Sequence, residues 1–261
     1  MGALKISAEQ RSWEIQKELE FWFQTTLGRS LLASQRAVIE QKIHRLFGVY
    51  QLEVGVSHRV PVGNPSTLGH KFCLLPRWES DLPENTVVST SDEIAIDHDV
   101  ADLVILHHAL DFSSDPHQTL REASRVLKSS GHLLIVGFNP TGFWGLRKQL
   151  SRAFNAPWNN RFISGRRIED WLNLLDFKVD GLEYHFFAPP VNSQRVTNLF
   201  IWLDSVLNSK VPLGAYYIVL AQKQVGSRIS VAPRWRKKAN VVGLPLANRS
   251  RNQLGKFEIS D

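Results

Sequence analysis

Residues 101–137 constrain the fold more than any other stretch. Ala101-Asp102-Leu103-Val104-Ile105-Leu106 is an apolar run of strand length, and it ends at His107 and His108. Asp115-Pro116 then opens a helix whose apolar positions Leu120, Ala123, Val126 and Leu127 fall in phase. Ser129-Ser130-Gly131 reads as the stop of that helix, and residues 132–137 read as the next strand. A strand, a helix of about 12 residues, a glycine stop and a strand make a βαβ crossover, which is right-handed. Two strands joined this way run parallel, so the sheet around them is mainly parallel and covered by helices.

The flanking sequence fits that frame. A helix is expected over residues 8–27, capped by Ser7 and stopped at Gly28, and a second over 30–47 with Leu31, Val38, Ile39, Ile43, Leu46 and Phe47 on one face. Phe21-Trp22-Phe23 is too dense for one stripe, so part of it faces outward or meets another element. Residues 49–56 read as a buried strand running into a Gly/Pro/Asn/Ser loop that continues to Gly69. Further strands are expected over 71–75, 86–89, 177–187 and 216–222, and further helices over 142–154, 164–175 and 195–208. The fold class is α/β.

Charge separates the chain into two parts. Residues 226–261 hold eight Lys/Arg against Glu258 and Asp261, which accounts for the whole net charge of +6. The body is therefore neutral, and the basic character belongs to the tail. With Pro233, Pro245 and little periodicity, the tail reads as extended or disordered. Its Arg234-Trp235-Arg236-Lys237-Lys238 run pairs bases with an aromatic ring, a composition suited to contact with nucleic acid. Cys73 is the only cysteine, which excludes an internal disulfide and a cysteine zinc site. His107, His108 and His117 fit no zinc spacing, and no metal is expected. No apolar run reaches the roughly 20 residues of a membrane helix, and no secretory leader is evident, so a cytoplasmic location is expected.

Three stretches carry a resemblance to a known family. Leu52-Glu53-Val54-Gly55 resembles the start of the first motif of class I S-adenosylmethionine (SAM) dependent methyltransferases. Residues 101–105 are similar to their fourth strand. Leu120-Arg121-Glu122-Ala123-Ser124-Arg125-Val126-Leu127-Lys128-Ser129-Ser130-Gly131 is similar to the L-R-E-x-x-R-V-L-K-P-x-G helix and turn of the type-11 branch. Residues 137–140, 145–148 and 170–177 resemble a smaller group of uncharacterised proteobacterial methyltransferase-like proteins. The resemblance implies a Rossmann-like seven-stranded sheet with a reversed last strand and helices on both faces. SAM would lie across the carboxyl ends of the first strands, where open α/β sheets bind ligands.

The resemblance also implies the site residues. Glu53 and Gly55 open the ligand loop, with Ser57 at its second glycine position and Arg59 at its third. The ribose-binding acid expected near the end of the second strand is replaced by Leu74, Leu75 and Pro76, leaving Glu79 or Asp81 to reach in. Thr90, or Asp92 two residues on, stands where an acid meets the adenine amino group. His107 is a further cofactor contact, and His107 and His108 are the candidate general bases. The expected organisation is a helical cap over 1–47, a methyltransferase-like domain over 48–225 and a basic tail over 226–261. The expected function is SAM-dependent methylation of a small molecule. The alternative is a catalytically degenerate member that binds nucleic acid or a protein through its tail.

Overall fold

The computed structural model describes residues 8–150, 157–193, 195, 199–200 and 209–224. Helices α1 (Ala8–Trp22) and α2 (Thr26–Ile43) lead into strand β1 (Tyr50–Val54). Then follow β2 (His70–Leu75), β3 (Thr86–Val88) and β4 (Ala101–His107). The short helix α3 (Ala109–Phe112) and α4 (Pro116–Val126) connect β4 to β5 (Leu127–Phe138). The last elements are α5 (Phe143–Leu150), α6 (Gly165–Leu174), β6 (Phe177–His185) and β7 (Tyr216–Lys223). Contacts divide the chain into Met1–Gly226 and Ser227–Asp261, so the N-terminal helices belong to the same unit as the sheet. The basic tail and most of the helix expected over 195–208 lie outside the described residues.

The seven strands run in the order β3-β2-β1-β4-β5-β7-β6. The first five pair in parallel, and β7 enters antiparallel between β5 and β6. The seven-stranded sheet with its reversed last strand is therefore as expected. Its centre is the core: Val104, Ile105, Leu106, Leu133, Leu134, Ile135, Ile218 and Val219 are fully or almost fully buried. Strands buried on both faces need this continuous apolar pattern. The start of β1 is pinned by Asp102 of β4. Its Oδ2 accepts from Val49 N at 2.9 Å and Tyr50 N at 3.0 Å, while Lys128 Nζ closes the ion pair.

Several boundaries differ from expectation for local reasons. Gly28 does not stop the first helix. Thr25 caps α2 three residues earlier, its Oγ1 accepting from Gly28 N at 3.1 Å. A Cβ at Gly28 would strike the Trp22 carbonyl, so the glycine serves the tight α1–α2 turn. Phe47 is exposed beyond the end of α2 and is not a core residue. Of the aromatic triplet, Phe21 is exposed and Phe23 is buried. Residues 129–131 do not stop a helix. β5 begins directly after α4, and Ser130 (φ 67°) lies within it. Among the described residues no helix is long and apolar enough to cross a membrane.

Candidate functional site

The carboxyl ends of β1, β2 and β4 and the segment following β3 surround one cleft. It lies where the sheet order reverses direction between β1 and β4. Val54 and Gly55 come from β1 and its exit, Leu74, Pro76 and Arg77 from the end of β2, Thr90, Ser91 and Asp92 from beyond β3. Phe112, Ser113 and Ser114 follow β4, and Ser12, Trp13 and Gln16 of α1 cover the top. The cover is bonded to the floor, since Gln16 Nε2 donates to the Gly55 carbonyl at 2.8 Å. Gly55, Thr90 and Asp92 of the expected cofactor set thus meet in one cleft.

Glu53, Ser57 and His107 do not line it. Glu53 is buried, and its carboxylate accepts from Val62 N and Gly63 N, both at 2.9 Å. Burial pushes its pKa up, and the two amides pull it part of the way back. Gln51, on the same strand face, donates to the Gly63 carbonyl at 3.1 Å and accepts from Ser66. These two side chains hold the segment between β1 and β2, residues 55–69, which carries no helix although it joins parallel strands. A Cβ at Gly63 would strike the Gln51 amide, so glycine is required for this close approach. Glu53 is therefore a loop-ordering acid.

Ser57 is buried in a turn, its Oγ accepting from Arg59 N at 3.1 Å. Arg59 points away from the cleft. It donates to Glu20 of α1 at 3.1 Å, to Glu79 at 3.0 Å and to Asp81 at 2.6 Å, which holds the guanidinium firmly protonated. Glu79 and Asp81, expected to reach toward a ribose, are spent on Arg59. His58 lies 3.5 Å from Asp81, and of the three potential metal ligands His58, Glu79 and Asp81, the two carboxylates are already paired with that guanidinium.

His107 and His108 are sealed in the core at 0% exposure, so neither reaches a substrate. The αL backbone of His108 (φ 56°) kinks the chain from β4 into α3. One buried amide from α2 serves both rings: Gln35 Oε1 lies 3.0 Å from His107 Nε2, and Gln35 Nε2 lies 2.9 Å from His108 Nε2. His107 must therefore carry its proton on Nε2, and His108 on Nδ1, which lies 2.7 Å from Asp111 Oδ2. Phe138 N also donates to that oxygen, at 3.0 Å. Burial drives the His107 pKa well below its ordinary value and that of His108 to about 3, and it pushes Asp111 well up. The candidate bases are structural residues. His117 stands apart, stacked on Trp171 at 3.8 Å.

The Leu120–Gly131 motif has a physical task at this site. Glu122 Oε2 accepts from Ile94 N at 3.0 Å, and Arg125 donates to the carbonyls of Ile94 and Ile96 at 2.8 and 2.9 Å. Thr119 reaches Ser113 at 2.8 Å and Ser91 at 3.3 Å. One face of α4 thus fixes both polar walls of the cleft. The sequence reading missed Ser12, Trp13, Gln16, Arg77 and Phe112–Ser114. The i, i+3 spacing of Trp13 and Gln16 and the place of Arg77 just beyond β2 were the available signals.

The comparisons agree with this architecture. A SAM-dependent methyltransferase of Thermotoga maritima, described as a possible histamine N-methyltransferase, superposes with a TM-score of 0.62 at 18% identity, over 84% of this chain and 100% of that one. The fold is that of the class I methyltransferases. A chain from the complex of the Haloferax volcanii Trm112 methyltransferase activator with a methyltransferase gives a TM-score of 0.58 at 14% identity, over 81% and 98% of the two chains. A methyltransferase-domain family model matches residues 74–135, the part of the methyltransferase fold that holds the Leu120–Gly131 motif. The uncharacterised protein YafS of Escherichia coli is 38% identical over 125 residues, 47% of this chain and 48% of that protein. The match spans about half the length of this relative.

Proposed function

We propose that the chain is a SAM-dependent methyltransferase acting on a small molecule, with the cofactor in the cleft between Gly55 and Asp92. The observation that carries this reading is the convergence of Gly55, Thr90 and Asp92 at the switch point of a methyltransferase fold. The cleft has the right chemistry for a nucleoside. Trp13, Val54 and Leu74 offer apolar surface to a purine, and Asp92 offers a carboxylate to its exocyclic amino group. At Gly55 a Cβ would meet nothing closer than Glu53 Oε1 at 3.5 Å, so packing within the chain does not demand glycine there. Bare backbone at the floor instead suits a ligand that passes close over it.

Bound there, SAM would supply a methyl group to an acceptor lone pair, with the thioether S-adenosylhomocysteine (SAH) leaving as the carbon–sulfur bond breaks and the acceptor's proton passing to solvent. The chain's own part is to position the partners and exclude water. Gln16 and Trp13 of α1 do so from above, and Phe112–Ser114 from the side. His107 and His108 do not serve as the base, since both are sealed away. A cytoplasmic location is part of this reading. The alternative of a degenerate protein acting through its tail rests on residues outside those described.

The test is thermal unfolding with SAM and with SAH. Ligand at about 100 times its Kd adds roughly 2.7 kcal/mol. A rise in Tm with both, lost in Asp92→Ala, is expected. No shift with either at millimolar concentration ends the proposal.

A further inference from the structure

A second chamber opens beside the cofactor cleft. It is lined by Arg11, Ser12, Ile15, Asp111, Phe112, Ser113, Ser114, Asn159 and Arg161 and has a volume of about 450 Å³. Ser12, Phe112, Ser113 and Ser114 line both spaces. A methyl acceptor must approach from a space next to the cofactor's, and this chamber adjoins the cleft through those four shared lining residues.

Its charge is one-sided. The Arg11 and Arg161 guanidiniums have no ion pair among the described residues; both residues are exposed and line the chamber, and Arg161 also borders the neighbouring groove beside Pro116 and Trp171. Arg77, lining the adjoining cleft, has only a ring contact with Trp13 at 5.8 Å. Arg59 is closed on three acids and Arg125 on Glu122, whereas Arg29, Arg36 and Arg147 donate to backbone carbonyls. The only carboxylate of the chamber is Asp111. It is 1% exposed, its Oδ2 is taken by His108 and Phe138, and its Oδ1 has no partner. Burial favours its neutral form, so it cannot balance the arginines. Two unpaired forks beside hydroxyls and an amide are the donor set that holds a carboxylate or phosphate.

We propose that this chamber is the acceptor subsite and that the methyl acceptor is an anionic small molecule, a carboxylate or a phosphate, held by Arg11 and Arg161. The inference rests on the methyltransferase reading for the word acceptor, but the anion site can be tested by itself. The backbone of Arg161 is fixed for this task, its N–H donating to the Asp111 carbonyl at 2.9 Å. Arg11 sits one turn before Ile15 on α1, the helix that also covers the cofactor cleft.

The experiment measures Tm of the full chain with inorganic phosphate, with benzoate and with chloride at matched ionic strength, each with and without saturating SAH. Expected is a rise with phosphate or benzoate over chloride. A tenfold or greater loss of apparent affinity should follow in Arg11→Gln and in Arg161→Gln, with none in Arg121→Gln, an exposed position on α4. A phosphate-only response identifies a phosphorylated acceptor, and a benzoate-only response a carboxylate. An SAH shift with no anion shift beyond chloride, or an anion shift untouched by both substitutions, overturns the acceptor site. An anion shift lost in both variants, without any SAH shift, leaves the anion site standing and removes the methyltransferase reading instead.

Discussion

Gln35→Leu should be among the most damaging single substitutions in the sheet unit. Gln35 is fully buried and its one amide satisfies His107 Nε2 and His108 Nε2 at once. Leucine keeps much of the volume but leaves a donor and an acceptor without partners in the core. Each such group costs about 1–3 kcal/mol, so the loss is about 2–6 kcal/mol. Against a total stability of about 5–15 kcal/mol, that is a large share. With a urea m-value of about 3 kcal/mol/M, the midpoint falls by roughly 0.7–2 M at unchanged slope. The pH dependence follows from the same geometry. The folded pKa of His108 is depressed to about 3, so its contribution is complete above its ordinary value near 6.5 and is lost as pH falls from there toward 3. Gln35→Glu reverses this, because a carboxylate there favours an imidazolium, whose contribution is present at low pH and lost as pH rises. Urea midpoints at pH 5.5 and pH 8 should therefore fall on acidification in the wild type. They should fall much less, or rise, in Gln35→Glu. A Gln35→Leu midpoint equal to wild type, or histidines that titrate near 6.5 in the folded state by NMR, would refute the network.

Two further outcomes test the loop and the cover. Glu53→Gln removes one acceptor from beneath residues 62–63 and should lower the urea midpoint by the equivalent of about 1–3 kcal/mol, with a parallel loss of SAM affinity in thermal shifts. Arg59→Ala breaks an exposed ion cluster, so its effect on stability should be small and should shrink as salt rises. Because Arg59 ties the loop to Glu20 of α1, SAM affinity should fall in that variant. A rise in affinity would show that the guanidinium obstructs the cleft.

The sequence made the sheet legible wherever an element's evidence was local. The strand at Ala101–His107, the Asp115-Pro116 cap and the Leu120–Val126 stripe are written in contiguous residues, and their order specifies a parallel crossover. The N-terminal boundary was less legible because Gly28 serves a turn contact with Trp22 that no pattern announces. Site residues divide the same way. Thr90 and Asp92 follow from strand order, since anything just beyond β3 reaches the carboxyl edge. His107 and His108 occupy the same edge in sequence, yet α2 brings Gln35 across 72 residues to seal them. Glu53 reads as a ligand acid until its partners, nine and ten residues later, are known. Those contacts are tertiary and leave no mark in the sequence pattern.

The loop after β1 shows why a glycine pattern is a poor measure of a site. Glycines are needed where backbone meets ligand, and here only Val54 and Gly55 of this stretch line the cleft. Beyond Gly55 the chain turns through Ser57, sends Arg59 outward to three acids and returns over the buried Glu53 carboxylate. Positions 57 and 59 lie outside the lining of the cleft, with Ser57 held in a turn and Arg59 held by three acids. Space in this loop is tightest at Gly63, eight residues on, where backbone crosses the Gln51 and Glu53 side chains. What the loop lacks in a helix it gains from two polar side chains below and Gln16 above, so the same contacts that order the loop hold α1 over the cleft. Cofactor affinity and the stability of residues 55–69 should consequently rise and fall together.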